Sequence, residues 1–217
     1  MVRVYYHIYA IDGVESIIDE QIEMIQKHFN FPFVLNIGIN VNKDNQKISN
    51  VISRLFNYNR RNYLLRDIRI GVSEFTTLDL IVEDIPSIAD DDKIFYLHTK
   101  GVSKINESNY TNIVDWRNLL MYFNVERVHD IFEAFKSEYN TFGCLFKEFG
   151  NLRIYDGNFW WAKGEYIKTL NLDSVRKNRT NAEMNFIQMG DNWKPYTIYN
   201  SNVNHYQTPY PKEKYKI

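Results

Sequence analysis

Short runs of β-branched and aromatic residues alternate with helix-periodic segments through the first half of the chain, and this alternation constrains the fold more than any other feature. Val2 to Ala10 reads as a strand. Asp12 is predicted to cap the next helix, with Glu15 at capping-box spacing. Ile17, Ile18, Ile22 and Ile25 fall on one face of that helix. Phe33 to Val41 is a second strand, and after a polar, loop-like stretch Ile48, Val51, Ile52, Leu55 and Phe56 restore helical spacing. Arg66 to Val72 reads as a third strand. Thr76 or Thr77 is expected to cap a helix that Pro86 ends. Ile94-Phe95-Tyr96-Leu97 then reads as a strand buried on both faces. The order β-α-β-α-β-α-β predicts an α/β fold with a mainly parallel sheet between two layers of helices.

Right-handed crossovers place the carboxyl ends of parallel strands on one edge, where open α/β sheets bind ligands. That edge is predicted to collect Tyr9-Ala10, Asn40, Ser73-Glu74 and His98-Thr99-Lys100. The last group offers an imidazole, a hydroxyl and a cation, and Gly101 frees the backbone to turn. A cation there suits an anionic ligand such as a phosphate. Asp90-Asp91-Asp92 contains the D-x-D spacing of a metal site but precedes the strand. A strand of that size is roughly 16–20 Å long, so the triplet belongs to the opposite edge and reads as a solvated turn.

Beyond Gly101 a polar stretch to Asn112 reads as a loop or lid. Ile113 to Phe135 is predicted as one long helix, Thr141 to Phe146 as a strand, and Pro195 to Tyr199 as the last strand. Residues 1–206 form a single domain on this reading, and 207–217 a tail or a linker to further domains. Arg60-Arg61 reads as a solvated charge pair, and Arg176 to Thr180 as a basic loop. A net charge of −1 argues against a nucleic-acid footprint. The single cysteine, Cys144, cannot form an internal disulfide and suits a reducing compartment. No apolar run approaches the roughly 18 residues of a membrane span, so the chain reads as soluble and intracellular.

Four further groups carry possible chemistry. Gly157 lets backbone approach a ligand, and the flanking Asp156 and Asn158 suit sugar hydroxyls. Trp160 and Trp161 divide between sugar stacking and packing, with packing expected for at least one ring. Glu183 sits near a predicted helix start, where a carboxylate can act as general base or be an ordinary first-turn glutamate. His98 and His205 each read either as a metal or phosphate contact or as a structural histidine.

Taken in order, Tyr96-Leu97-His98-Thr99-Lys100-Gly101-Val102-Ser103, Asp115-Trp116-Arg117, Gly157-Asn158-Phe159-Trp160-Trp161-Ala162, Ala182-Glu183 and Asn202-Val203-Asn204-His205-Tyr206 resemble the pattern of a GT-A-type glycosyltransferase family. The resemblance is to the nucleotide-sugar enzymes by which chlorella viruses build capsid glycans, and to bacterial rhamnan-type transferases that share the Leu97-His98-Thr99-Lys100 element. It implies a GT-A (Rossmann-like) sheet of about six strands. It implies that Tyr9, Ala10 and Asn40 border uracil and ribose, and that Thr76 or Thr77 lines the nucleotide. His98, Thr99 and Lys100 then stand where the family has its D-x-D. Asp156, Gly157, Asn158 and Trp160 face the donor sugar, Glu183 is the base, and His205 reaches the metal or diphosphate. A Mn2+ or Mg2+ cofactor, held at His98 and His205, belongs to this picture, although the carboxylate pair that binds it elsewhere is missing. The resemblance also implies a viral protein in host cytoplasm.

The function expected from the resemblance is transfer of a hexose or deoxyhexose, of glucose or rhamnose type, from a UDP-sugar to a glycan hydroxyl, with inversion or retention left open. A nucleotidyltransferase would need a Gly-rich or basic loop after strand one, and Ile11-Asp12-Gly13-Val14 is neither. A non-catalytic sugar- or nucleotide-binding module is the remaining alternative.

Overall fold

The computed structural model describes residues 1–41, 45–57, 63–71, 73–150, 152–171 and 186–216. Glu183, Arg60-Arg61, Val72 and the 176–180 segment lie outside the described residues. The first half runs β1 (Val2–Ala10), α1 (Val14–His28), β2 (Phe33–Val41), α2 (Asn45–Asn57), β3 (Tyr63–Gly71), α3 (Phe75–Asp84) and β4 (Lys93–His98). The second half runs α4 (Tyr110–Met121), α5 (Val128–Ala134), β5 (Thr141–Gly143), β6 (Phe146–Phe149), β7 (Leu152–Tyr155), β8 (Trp160–Lys163), α6 (Gly164–Ile167) and β9 (Pro195–Thr197).

Among the described residues the central sheet has seven strands in the order β3-β2-β1-β4-β8-β5-β9, and β6 and β7 form a separate hairpin. Strands β1 to β4 pair in parallel, β8 runs antiparallel to β4 and β5, and β9 is parallel to β5. The α/β fold is therefore mixed but mainly parallel. From β1 the chain steps outward to β2 and β3, then returns to place β4 on the other side of β1. The strand order thus reverses between β1 and β4.

Both faces of the sheet are covered. Val4, Tyr6 and Ile8 of β1, Phe95 and Leu97 of β4 and Trp161 of β8 pack with α1, α2 and α4. Tyr5, Ile94, Tyr96 and Trp160 point the other way, toward Leu78 and Ile81 of α3 and Tyr166 of α6. The four isoleucines of α1 are all buried, as their spacing predicts. Helix α1 starts after Gly13 rather than at a cap made by Asp12, which is instead paired with Lys47 at 2.7 Å. Helix α3 begins at Phe75, so Thr76 and Thr77 fall inside its first turn rather than capping it.

The helix expected over Ile113 to Phe135 is interrupted by a π turn over Tyr122–Glu126. Asn124 supplies a reason. Its side-chain amide donates to the Leu120 carbonyl at 2.9 Å, the acceptor that its own backbone N–H would use in an α-helix. The strand expected over Thr141 to Phe146 also divides, because Leu145 takes a left-handed conformation (φ 58°) and its N–H donates to Tyr199 at 2.7 Å. Residues 200–216 run back along α4. The Tyr210 N–H donates to Asp115, Asn109 and Asn112 donate to the Tyr206 carbonyl, and Tyr215 is buried.

Candidate functional site

A cleft of about 330 Å3 opens at the carboxyl ends of β1 and β4, where the strand order reverses. Such a switch point is the usual ligand position in an open α/β sheet. His7 and Tyr9 of β1, Asn40 of β2, Glu74, and His98 to Lys104 line it, and Tyr206 closes one side.

The His98-Thr99-Lys100 turn is fixed from several directions. The Thr99 N–H donates to the His7 carbonyl and the Thr99 hydroxyl accepts the Tyr9 N–H, each at 3.0 Å. Thr99 is buried, stitches β1 to β4 through its backbone and hydroxyl, and lines the cleft. His98 Nε2 lies 2.9 Å from the Gly157 carbonyl, an acceptor that requires the proton on that nitrogen. Gln21 of α1 donates to the His98 carbonyl at 3.1 Å, and Arg117 of α4 donates to the Lys100 carbonyl at 3.0 Å. Arg117 is itself buried and forked onto Glu20 at 3.0 and 2.9 Å. Gly101 follows at φ 83°, where a Cβ would collide with Ile113.

Lys100 projects over the Trp116 indole, 3.8 Å from its centroid, with the Tyr206 ring at 5.7 Å. Asp115, Trp116 and Arg117 therefore have three separate tasks. They hold the C-terminal segment, the Lys100 side chain and the Lys100 backbone respectively.

The other expected contacts divide. Tyr9 and Asn40 line the cleft, whereas Ala10 is buried in the core. Thr76 and Thr77 are both buried, and Thr77 Oγ1 lies 2.8 Å from His7 Nδ1, so the Thr77 hydroxyl supports the cleft from behind. Trp160 is not a stacking platform. Its ring is buried between Tyr96 (5.2 Å) and Phe186 (6.0 Å), on the face of the sheet opposite Trp161. Asp156 pairs with Lys147 at 2.5 Å. Both ends of the Asn158 amide are engaged, its oxygen by Trp160 Nε1 at 3.1 Å and its nitrogen by Glu74 at 3.0 Å.

His98 and His205, the two residues expected to hold a metal, each have Nε2 engaged within the fold, by the Gly157 carbonyl and by Ser201. His205 is buried, stacks on Trp116 (5.6 Å, 16°) and has Nε2 at 2.7 Å from Ser201 Oγ. Burial lowers its pKa to about 4, so the ring is neutral at ordinary pH. No cluster of three or more His, Cys, Asp or Glu side chains placed to hold an ion occurs among the described residues.

Glu74 is the cleft residue that sequence reasoning placed at the correct edge without giving it a role. Its Oε1 accepts from the Tyr96 hydroxyl as well as from Asn158. These partners lie 22 and 84 positions away in the chain, a separation no local pattern reveals. His7 and Lys104 also line the cleft and belong to none of the motifs named above, whereas Ser103 and Tyr206 each end one of them.

Among the described residues no helix is long and apolar enough to cross a membrane. The profile of a family described as a domain of unknown function (DUF8361) matches residues 5–213. Comparison with curated proteins returns no match. Among solved structures, 2-C-methyl-D-erythritol 4-phosphate cytidylyltransferase of Francisella tularensis is similar at 13% identity, over 93% of this chain and 92% of that chain, with a TM-score of 0.43. A likeness that distant carries no functional argument.

Proposed function

This chain belongs to the DUF8361 family, a domain of unknown function, and we propose that it is a glycosyltransferase that moves a hexose or deoxyhexose from a UDP-sugar to a glycan hydroxyl. The supporting observation is the position of Lys100. It stands beyond the carboxyl end of β4, at the reversal of strand order, in a cleft that also holds hydroxyl-accepting groups. The ordered motifs that resemble GT-A-type transferases point the same way, and on that resemblance the acceptor is a glycan of the viral capsid-glycoprotein kind.

In this reading Lys100, with Lys104 beside it, receives the charge that develops on the departing diphosphate. His98 and Thr99 hold the turn that presents Lys100. Tyr9 and Asn40 border the nucleoside side of the cleft. Glu183 takes the proton of the acceptor hydroxyl as that oxygen bonds to the anomeric carbon and the bond to the diphosphate breaks. His98 and His205 each spend one ring nitrogen on the fold, and no step is assigned to a divalent ion.

A panel of UDP-sugars, assayed for hydrolysis and transfer with and without Mn2+, tests this. Release of UDP from at least one donor, retained in the presence of a chelator, is the expected result. Loss of all turnover on chelation overturns the lysine-based account, and no UDP affinity by calorimetry overturns the transferase itself. Glu183→Gln is expected to slow turnover by roughly 10²–10⁴-fold. A change within about threefold removes Glu183 as the base, and the product anomer by NMR distinguishes inversion from retention.

A further inference from the structure

We infer that Glu74 is the specificity-determining residue of this cleft, a carboxylate that reads hydroxyl groups on a phosphorylated ligand. The inference deepens the transferase reading and rests on it for the identity of the ligand, though not for the chemistry recognised.

Three observations carry it. Glu74 lines the same cleft as Lys100 and Lys104, so the site is bipolar. A ligand phosphate is drawn to the lysines and repelled by the carboxylate, which leaves Glu74 to a neutral, hydrogen-donating part of the molecule. The carboxylate is also oriented in advance. Its Oε1 accepts from both Tyr96 Oη and Asn158 Nδ2, and Asn158 is held in turn by Trp160 Nε1. Asn158 adopts φ 55°, directly after Gly157 at φ 97°. This left-handed pair brings the amide to Glu74 rather than to the cleft. Finally, an ionised carboxylate is an acceptor only, with several lone-pair directions on its two oxygens. Vicinal hydroxyls satisfy such a group with two charge-assisted bonds.

The Gly157-Asn158 segment therefore acts one step removed. Asn158 positions the carboxylate, and Glu74 meets the ligand. The matching diol is that of a ribose or of a pyranose, and the two sources are separable by experiment.

The test is calorimetric titration of wild type, Glu74→Gln and Asn158→Gly with inorganic pyrophosphate, glucose phosphate, UDP, dideoxy-UDP and UDP-glucose. Asn158→Gly keeps the left-handed backbone while removing the amide, and serves if Glu74→Gln fails to fold. Glu74→Gln is expected to weaken hydroxylated ligands by about tenfold to 100-fold and pyrophosphate by no more than about twofold. Asn158→Gly is expected to give a smaller loss in the same pattern. A loss seen with UDP and absent with dideoxy-UDP assigns Glu74 to the ribose. A loss confined to UDP-glucose and glucose phosphate assigns it to the donor sugar. Equal losses for pyrophosphate and hydroxylated ligands, or no loss for any, overturn the inference. If glucose phosphate binding depends on Glu74 while wild type ignores UDP, the inference stands and the UDP-sugar reading falls. If wild type binds none of the probes, both fall.

Discussion

The Lys100 ammonium lies 3.8 Å from the centroid of the Trp116 indole, so the cation offered to the cleft rests on an aromatic face. A cation–π contact at a partly exposed site is worth about 0.5–1 kcal/mol. A charge-assisted bond to a phosphate oxygen is worth about 1.5–3 kcal/mol. The exchange of indole for phosphate is therefore favourable, and the indole reports it. Pyrophosphate is expected to change Trp116 fluorescence in wild type. Lys100→Met is expected to abolish that response and to weaken pyrophosphate binding by about tenfold or more. Unchanged affinity in Lys100→Met would remove Lys100 from the anion site.

The Arg117–Glu20 fork is the buried electrostatic brace of the same turn. Arg117 is 3% exposed and also donates to the Lys100 carbonyl. Glu20→Gln removes the counter-charge of a buried guanidinium but leaves it an acceptor, and Glu20 is itself 30% exposed, so the change is expected to cost about 1.5–3 kcal/mol. Urea denaturation is the measurement. A loss below about 0.5 kcal/mol would show that the fork contributes nothing beyond an exposed pair.

The sheet was legible because its signals are local. Strand length alone assigned the Asp90-Asp91-Asp92 triplet to the far edge, at the amino ends of the strands, but the solvated turn expected there describes only Asp90 and Asp91, because Asp92 is buried and bonds Arg3 at 2.9 Å. The turn at His98 was legible for the same reason, since an apolar strand ends abruptly in polar residues. What local pattern does not carry is how a polar side chain is used. Thr99 offers the same hydroxyl whether it meets a phosphate or the Tyr9 N–H, and only the neighbouring strand decides. Trp160 and Trp161 must alternate across a strand, yet both are core because helices cover both faces of the sheet. The π turn depends on one amide, Asn124, competing with its own backbone.

Gly157 is under two separate constraints. Its φ of 97° disfavours any side chain, and an added Cβ would lie 2.6 Å from Leu120 Cδ1 and 3.1 Å from Trp116 Nε1. Gly150, at φ 59°, has open space around the same position. Gly150→Ala is expected to cost about 1 kcal/mol from backbone strain alone. Gly157→Ala adds the clash and is expected to cost at least about 2 kcal/mol, or roughly 4–8 °C in melting temperature. Equal shifts for the two variants would mean that Leu120 and Trp116 yield freely.

His205 gives the fold a pH dependence of defined sign. Buried against Trp116, its imidazole titrates at about 4 in the folded protein, below the 6.5 of an exposed ring. Between those values the unfolded chain binds a proton that the folded chain does not. The stability associated with His205 is therefore complete above about pH 6.5, falls as the pH drops toward 4, and changes no further below that. The loss across the window is on the order of 3 kcal/mol. His205→Phe keeps an aromatic ring against Trp116 and removes the titrating group. Its urea midpoint is expected to fall less steeply than that of wild type between pH 6.5 and 4. Identical slopes for the two proteins would mean that the imidazole accepts its proton without leaving the Trp116 stack.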